Sequence, residues 1–295
     1  MLVFNQMKDL FVTIAVTGAT GLLGNLVITN LLKSESPASI VAIARNAEKA
    51  APLAEKGVDV RQATYTDPAA LETALIGVDT LLLVSGSEVG HRVAQHGNVI
   101  NAAKSAGAQR IVYTSAPKAD TTFLVLAPEH KATEELILAS GIPYTILRNN
   151  WYTDNYAPQI DEARHTGAIT NSAGNGRVAS ASRVDFAEAA AAALIGSGHE
   201  NKIYELTGDY AWDFVEFAAA VSEIIGSEVV YKPVSTEEHI ELLKAAGLPE
   251  EVAGFVAAIN ADIARGALAD VTSDLRTLIG RPTTPLIDGL RHPII

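Results

Sequence analysis

Apolar and polar positions along this chain alternate between two periods. Apolar runs of strand length stand at Val12 to Val16, Ile40 to Ala44, Asp59 to Ala63, Asp79 to Val84, Arg110 to Thr114 and Tyr144 to Leu147. Between them, apolar residues recur every three or four positions, as Leu22, Leu23, Val27, Ile28, Leu31 and Leu32 do, which is the period of an amphipathic helix. Further helices are expected up to Glu55 with Gly57 as the stop, from Asp67-Pro68, over His91 to Ala106, and over Pro128 to Ser140, where Gly141-Ile142-Pro143 breaks the pattern. The run from Asp79 to Val84 is too apolar for a solvent-facing strand and suits a sheet covered on both sides. Six strands alternating with helices predict a doubly wound parallel sheet.

Beyond Arg148 the rhythm changes. Residues 149–184 are rich in Asn, Thr, Gly and Ser and read as loops and short strands. The alanine-rich run Phe186 to Ile195 reads as a helix, since alanine is the best helix former. A strand follows at Ile203 to Leu206, a helix from Trp212 to Ile225, a strand at Val229 to Val234, and helices near 236–246 and 249–265. The expected organisation is an arm over residues 1–11, a nucleotide-binding α/β domain over 12–150, and a smaller mixed α/β lobe over 151–295 with some segments returning to the main sheet.

Composition narrows the function. With 295 residues and 48% hydrophobic content the chain is long enough for one large or two modest domains. A net charge of −12 without a dense basic stretch argues against nucleic acid or anionic membrane as the main partner. The absence of cysteine excludes disulfides and thiolate catalysis. No apolar run reaches the ~18 residues of a membrane span. Residues 1–11 do not resemble a signal peptide, and Met7 offers an alternative start, so a cytoplasmic protein is expected.

The chemistry begins at Thr17-Gly18-Ala19-Thr20-Gly21-Leu22-Leu23-Gly24, where the first strand passes through three glycines into the first helix. Glycines at such a turn let a cofactor's phosphates approach bare backbone, and a helix N-terminus supplies unpaired N–H groups to hold them. The Gly-x-x-Gly-x-x-Gly spacing looks like that of the short-chain dehydrogenase/reductase superfamily. The end of the second strand meets the adenosine ribose in such folds, and there stands Arg45, with Lys49 a turn on; a guanidinium matches a 2′-phosphate, which favours NADPH and makes NADH the weaker alternative. Ser85, Gly86 and Ser87, after the fourth strand, are small enough to let the cofactor pass. Arg92, Gln95 and His96 share one face of the next helix and either reach back over the cofactor or form a solvated face.

The Tyr-x-x-x-Lys pair that ordinary short-chain dehydrogenases use for proton transfer does not occur: no tyrosine has a lysine four positions on. Ser115 ends the fifth strand where such enzymes place a serine, or is simply a turn residue. Lys131 is a candidate to orient a carbonyl or the ribose, or else a surface charge in a first turn. His130 and Glu134 are spaced to pair on the helix surface. No cluster has metal-ligand spacing, so no metal is expected.

The glycine turn, Ala44-Arg45-Asn46, Ser85-Gly86-Ser87-Glu88, Tyr113-Thr114-Ser115, Glu129-His130 with Glu134, and the run Tyr144 to Tyr156 occur in that order. Together with Gly174-Asn175-Gly176 and the tail Leu278 to Thr284, they resemble the NmrA-like, atypical short-chain dehydrogenases, in particular bacterial NAD(P)H:quinone oxidoreductases and triphenylmethane reductases. The resemblance covers essentially the whole chain from Thr13. It implies a Rossmann-like domain with a small C-terminal lobe and substrate in the cleft between them. It also implies that Gly18, Ala19, Thr20, Gly21, Leu22, Leu23 and Arg45 hold NADPH. Ser87, Glu88, Val89, Arg92 and the segment Asn150 to Asn155 would line the rest of the cofactor and substrate site. Ala63-Thr64 departs from relatives that carry an acidic residue before the tyrosine, here Tyr65.

The missing proton donor agrees with a quinone acceptor, whose ring spreads the delivered charge and takes protons from water. Such a transfer needs alignment above all, worth ~7–11 kcal/mol of barrier. Flat acceptors want aromatic walls, and Trp151, Tyr152 and Tyr156 lie just past the sixth strand, Tyr152 also being a candidate catalytic group; the competing reading is that such rings are packing core. The expected activity is flavin-free, NADPH-dependent hydride transfer to a quinone or similar conjugated acceptor. Two rivals stay open: an NADP(H)-binding redox sensor without turnover, and a reductase of imines, dyes or phenylpropanoids. A homodimer also stays open.

Overall fold

A computed structural model of the chain describes residues 12–295; the expected arm over residues 1–11 lies outside the described residues. β1 (Ile14–Val16) leads into α1 (Leu22–Leu31), then β2 (Ile40–Ala44), α2 (Ala47–Glu55), β3 (Asp59–Gln62), α3 (Pro68–Ala74), β4 (Thr80–Leu83), α4 (Arg92–Ala106), β5 (Arg110–Ser115), α5 (Ala127–Ser140) and β6 (Tyr144–Asn149). Local chemistry sets several of these boundaries. Asn46 and Asp67 cap α2 and α3 by accepting the backbone N–H of Lys49 and Ala70, and Gly107 closes α4 in the left-handed region at φ 78°.

The chain continues through a 3₁₀ turn (Thr153–Tyr156), α6 (Ala157–Thr166), β7 (Ala168–Asn171), β8 (Arg177–Val178), α7 (Arg183–Ile195), β9 (Lys202–Leu206), β10 (Trp212–Asp213), α8 (Phe214–Ile225), β11 (Val230–Pro233), α9 (Thr236–Ala245), α10 (Glu250–Ala264), α11 (Asp274–Ile279) and α12 (Leu286–Arg291). Two expectations need correction here. Residues 149–184 contain the ten-residue helix α6, whose polar sequence buries only Ala157, Ile160 and Ala163; its signals were Pro158 in the first turn and Gly167 in the left-handed region after it. The helix expected from Trp212 starts at Phe214, because Trp212 and Asp213 pair antiparallel with Val178 and Arg177, and Asp213 forms a capping box with Glu216.

The main sheet has seven strands in the order β3-β2-β1-β4-β5-β6-β9, and β1 is parallel to both β2 and β4. The chain therefore moves outward from β1 to β3, then crosses back to place β4 on the other side of β1. That reversal makes the carboxyl ends of β1 and β4 the topological switch point, where α/β sheets bind their ligands. The Rossmann-like α/β class expected from the sequence is the class observed.

The contacts divide the chain into two compact units that interleave along the sequence. The first holds the described residues up to Ser115, Glu129–Leu147 and Ala187–Tyr204; the second holds Ala116–Pro128, Arg148–Phe186 and Glu205–Ile295. The core of the first runs through Ala15, Val41, Leu81, Ile111 and Tyr113 to the helix residues Leu71, Val99 and Ile137. The core of the second is aromatic, with Tyr156, Trp212, Phe214 and Phe217 packed against Ile160, Ile259 and Ile263. Among the described residues, no helix is long and apolar enough to cross a membrane.

Candidate functional site

The turn after β1 is shaped by what its glycines omit. Gly18 has φ +58°, a conformation that side chains rarely adopt. A Cβ on Gly24 would lie 2.4 Å from the Gly18 carbonyl oxygen, and one on Gly21 would lie 3.1 Å from the same atom. The turn is thus closed against bare backbone, with Gly21 N–H donating to Gly18 O at 2.8 Å. Gly21 is also the N-cap of α1, and neither a capping side chain nor an acidic residue occupies the first turn. The amino end of α1 keeps its N–H groups and positive dipole end for an anion. Ala19 and Leu23 are buried beneath the turn, whereas Gly18, Gly21 and Leu22 are exposed.

A buried network holds the loop after β4 in place. His96 Nε2 accepts the Gly86 N–H at 2.9 Å, so its proton sits on Nδ1, which donates to Thr133 Oγ1 at 3.0 Å; the Thr133 hydroxyl donates in turn to Glu129 O. Arg92 Nε donates to Gly86 O at 2.8 Å, while its NH1 pairs with Glu129, whose other oxygen accepts the Gly90 N–H. Gln95 donates to Glu88 at 2.7 Å. The sequence left two readings of the Arg92, Gln95 and His96 face. All three side chains are buried and turn back to the Ser85–Gly90 loop, Arg92 and His96 holding its backbone and Gln95 the Glu88 carboxylate, rather than facing solvent. Burial, with the Arg92 charge adding to it, pushes the His96 pKa down to about 3, so the ring stays neutral.

Tyr65 joins the two strand ends. Its hydroxyl lies 2.6 Å from Thr17 Oγ1 and 2.7 Å from Val84 O, and burial pushes its pKa up. Its ring leads a column of edge contacts through His96 to Tyr113, with centroids 6.0 and 5.5 Å apart. Sequence reasoning noted Tyr65 only as the tyrosine that relatives precede with an acidic residue; the bridge to Thr17 spans 48 residues and carried no local signal. Arg45 stands exposed at the end of β2, its guanidinium 3.5 Å from the Glu88 carboxylate. Ser85 is half-buried, and Ser87, Glu88 and Val89 are exposed along the loop.

At the end of β5, His130 and Glu134 are both buried rather than on the helix surface where the sequence placed them. Tyr113 Oη lies 2.8 Å from His130 Nδ1, and the Ser115 hydroxyl donates to Glu134 Oε1 at 2.5 Å, all four side chains being buried. The helical turn brings these groups inward because Thr133 and Ile137 share their face. Lys131 is exposed and is not part of this network.

In the second unit, the Asn150 amide is already committed. It donates to Leu268 O at 3.3 Å and accepts the Trp151 N–H at 2.6 Å. Trp151 is half-buried against the aromatic core. The Tyr152 ring packs edge-on against Phe186 and under the Arg183 guanidinium, 4.9 Å from its centroid, and its oxygen accepts from Asn149 Nδ2 at 3.2 Å. Burial raises the Tyr152 pKa, the opposite of what a proton-transfer tyrosine requires. Tyr156 is a core ring, 4% exposed.

A family model described as NAD(P)H-binding matches residues 18–195. The chain is 48% identical over 279 residues to quinone oxidoreductase 2 of Escherichia coli, with 95% of this chain and 98% of that protein covered. A crystal structure of NADPH-dependent quinone oxidoreductase from Escherichia coli complexed with NADPH superposes with a TM-score of 0.92 at 48% identity, covering 95% of this chain and 99% of the other. Triphenylmethane reductase of Citrobacter sp. gives a TM-score of 0.92 at 43% identity, covering 96% and 99%.

Proposed function

Because this chain belongs to the NmrA-like, NAD(P)H-binding family, we propose that it is a reductase that uses NADPH to reduce a quinone or a similar conjugated acceptor. The observation that carries this reading is the turn of Gly18, Gly21 and Gly24, closed against bare backbone and opening on an uncapped helix N-terminus. A pyrophosphate fits such a cradle: no side chain stands between it and the turn's backbone, and no carboxylate of the first turn repels it.

Within this reading, the backbone from Gly18 to Leu23 holds the pyrophosphate and Arg45 takes the 2′-phosphate. The loop Ser85 to Val89, held from below by Arg92, Gln95 and His96, borders the ribose. When bound, NADPH supplies a hydride, two electrons with one proton, and with one further proton from water a quinone leaves as hydroquinone. The proton economy of the site agrees with water as that source. The Ser115 hydroxyl is donated to Glu134, and the Tyr152 phenol is held neutral by burial.

The test is steady-state turnover of NADPH with a panel of small quinones, followed by the absorbance of reduced nicotinamide. Acceptor-dependent loss of that absorbance is expected. Nucleotide that binds while the absorbance stays constant with every acceptor overturns the reductase reading and leaves a sensor.

A further inference from the structure

The end of β2 presents a cation beside side chains that are already spent. Arg45 follows the last residue of the strand, the Asn46 side chain accepts the Lys49 N–H as the cap of α2, and Glu48 lies inside the first turn of that helix. The carboxylate that pairs with Arg45 comes from elsewhere. In the sheet β1 lies between β2 and β4, and Glu88, in the loop after β4, brings its Oε1 to 3.5 Å from Arg45 NH1. The pair therefore spans the carboxyl end of β1, where the glycine turn begins.

Glu88 is fixed in this place. On one side of it His96 and Arg92 bind the N–H and the carbonyl of Gly86, and on the other Glu129 binds the Gly90 N–H. Its Oε2 accepts from Gln95 Nε2 at 2.7 Å, and Gln95 is itself buried on α4. A freely rotating surface glutamate loses side-chain entropy when it forms an ion pair, and an anchored one has lost it already. One carboxylate oxygen is thus tied to the protein while the other is turned to the guanidinium.

The two nicotinamide nucleotides meet this pair differently. A 2′-phosphate carries about −1.5 to −2 charges and seeks the same guanidinium, so it must draw Arg45 from Glu88 and lie near a like charge. A free 2′-hydroxyl is a donor, and a carboxylate is the acceptor that dinucleotide folds offer it. We infer that Glu88 sets how sharply the protein discriminates between the nucleotides: its carboxylate competes with the 2′-phosphate of NADPH for Arg45 and accepts the ribose 2′-hydroxyl of NADH. This role rests on the proposed seat of the 2′-phosphate at Arg45.

Glu88→Gln keeps the length of the side chain and removes its charge. Fluorescence titration of the whole protein and of this variant with NADPH and with NADH tests the role. NADPH is expected to bind the variant about two- to fivefold more tightly, the worth of one exposed ion pair released. NADH is expected to bind roughly three- to tenfold more weakly, because a neutral amide is a poorer acceptor than a carboxylate. The opposite signs separate this role from a structural one, since a loosened loop loses affinity for both nucleotides. In an Arg45→Ala background the gain for NADPH is expected to vanish, as no guanidinium is left to contest. Affinities that stay constant or move together overturn the role, and so does a gain for NADPH that persists without Arg45. A protein that binds NADPH and reduces quinones, yet is indifferent to Glu88→Gln, loses this role alone; one that binds neither nucleotide loses the proposed function as well.

Discussion

A methyl group at Gly24 would stand 2.4 Å from a backbone carbonyl oxygen that has nowhere to go, because that carbonyl also closes the turn on Gly21. Gly24→Ala is therefore expected to destabilise the protein by about 2 kcal/mol in urea unfolding and to weaken nucleotide binding. Gly97, inside α4, meets only a leucine methyl at 3.7 Å, so Gly97→Ala should instead stabilise by ~0.5–1 kcal/mol. A Gly24→Ala protein as stable as the Gly97→Ala control would show that the turn relaxes freely. Arg45 poses a contest of pairs. Its exposed contact with Glu88 is worth ~0–1 kcal/mol, whereas a forked pair with a phosphate contributes about 1.5–3 kcal/mol. The phosphate wins, and Arg45→Asp is expected to weaken NADPH binding roughly ten- to a hundredfold while NADH changes by about threefold or less. Equal losses for both nucleotides in a fluorescence titration would refute the phosphate role.

At the scale of elements, the loop after β4 owes its shape to two helices that follow it. α4 supplies Arg92, Gln95 and His96, and α5 supplies Glu129 and Thr133 behind them. His96→Ala leaves the Gly86 N–H without its acceptor and should cost about 1–3 kcal/mol of unfolding free energy, with weaker NADPH binding as the loop loosens. His96→Gln restores an acceptor and should recover part of both. Nucleotide affinity unchanged in His96→Ala would show that the loop needs no such anchor. The helical spacing made this face visible in the sequence. Its direction was not visible, because i, i+3 and i+4 spacing looks the same whether a face meets solvent or a loop.

For the whole molecule, pH acts through two histidines buried in the first unit. Burial, reinforced by the Arg92 guanidinium, lowers both His96 and His130 from the usual 6.5 to about 3, and His96 adds to the shift of His130. The unfolded chain binds protons at these sites that the folded chain refuses, so their contribution is complete above pH 6.5 and lost progressively as pH falls toward 3. Each histidine removes up to about 1.4 kcal/mol per pH unit in that window, or roughly 2 kcal/mol between pH 6.5 and 5. Urea midpoints should drop over this range, and His130→Gln should flatten the slope. Stability constant from pH 7 to 5 would mean that the rings are accessible to protons while folded.

Whatever lies within some twenty consecutive residues could be read directly: β1, the glycine turn and α1 form one local unit, and the apolar runs of β2, β4 and β5 announce a covered sheet. Elements with a thin apolar pattern escaped, as α6 did, since one buried isoleucine between two alanines barely marks a face. Partnerships across long stretches of chain belonged to the tertiary structure alone. Folding decided that Arg92 meets Glu129, that Tyr65 ties β1 to β4, and that Tyr156 enters an aromatic core with its oxygen unpaired. A strand or a turn is specified by neighbours in sequence, whereas the partner of a buried polar group is specified only by what the completed packing brings beside it.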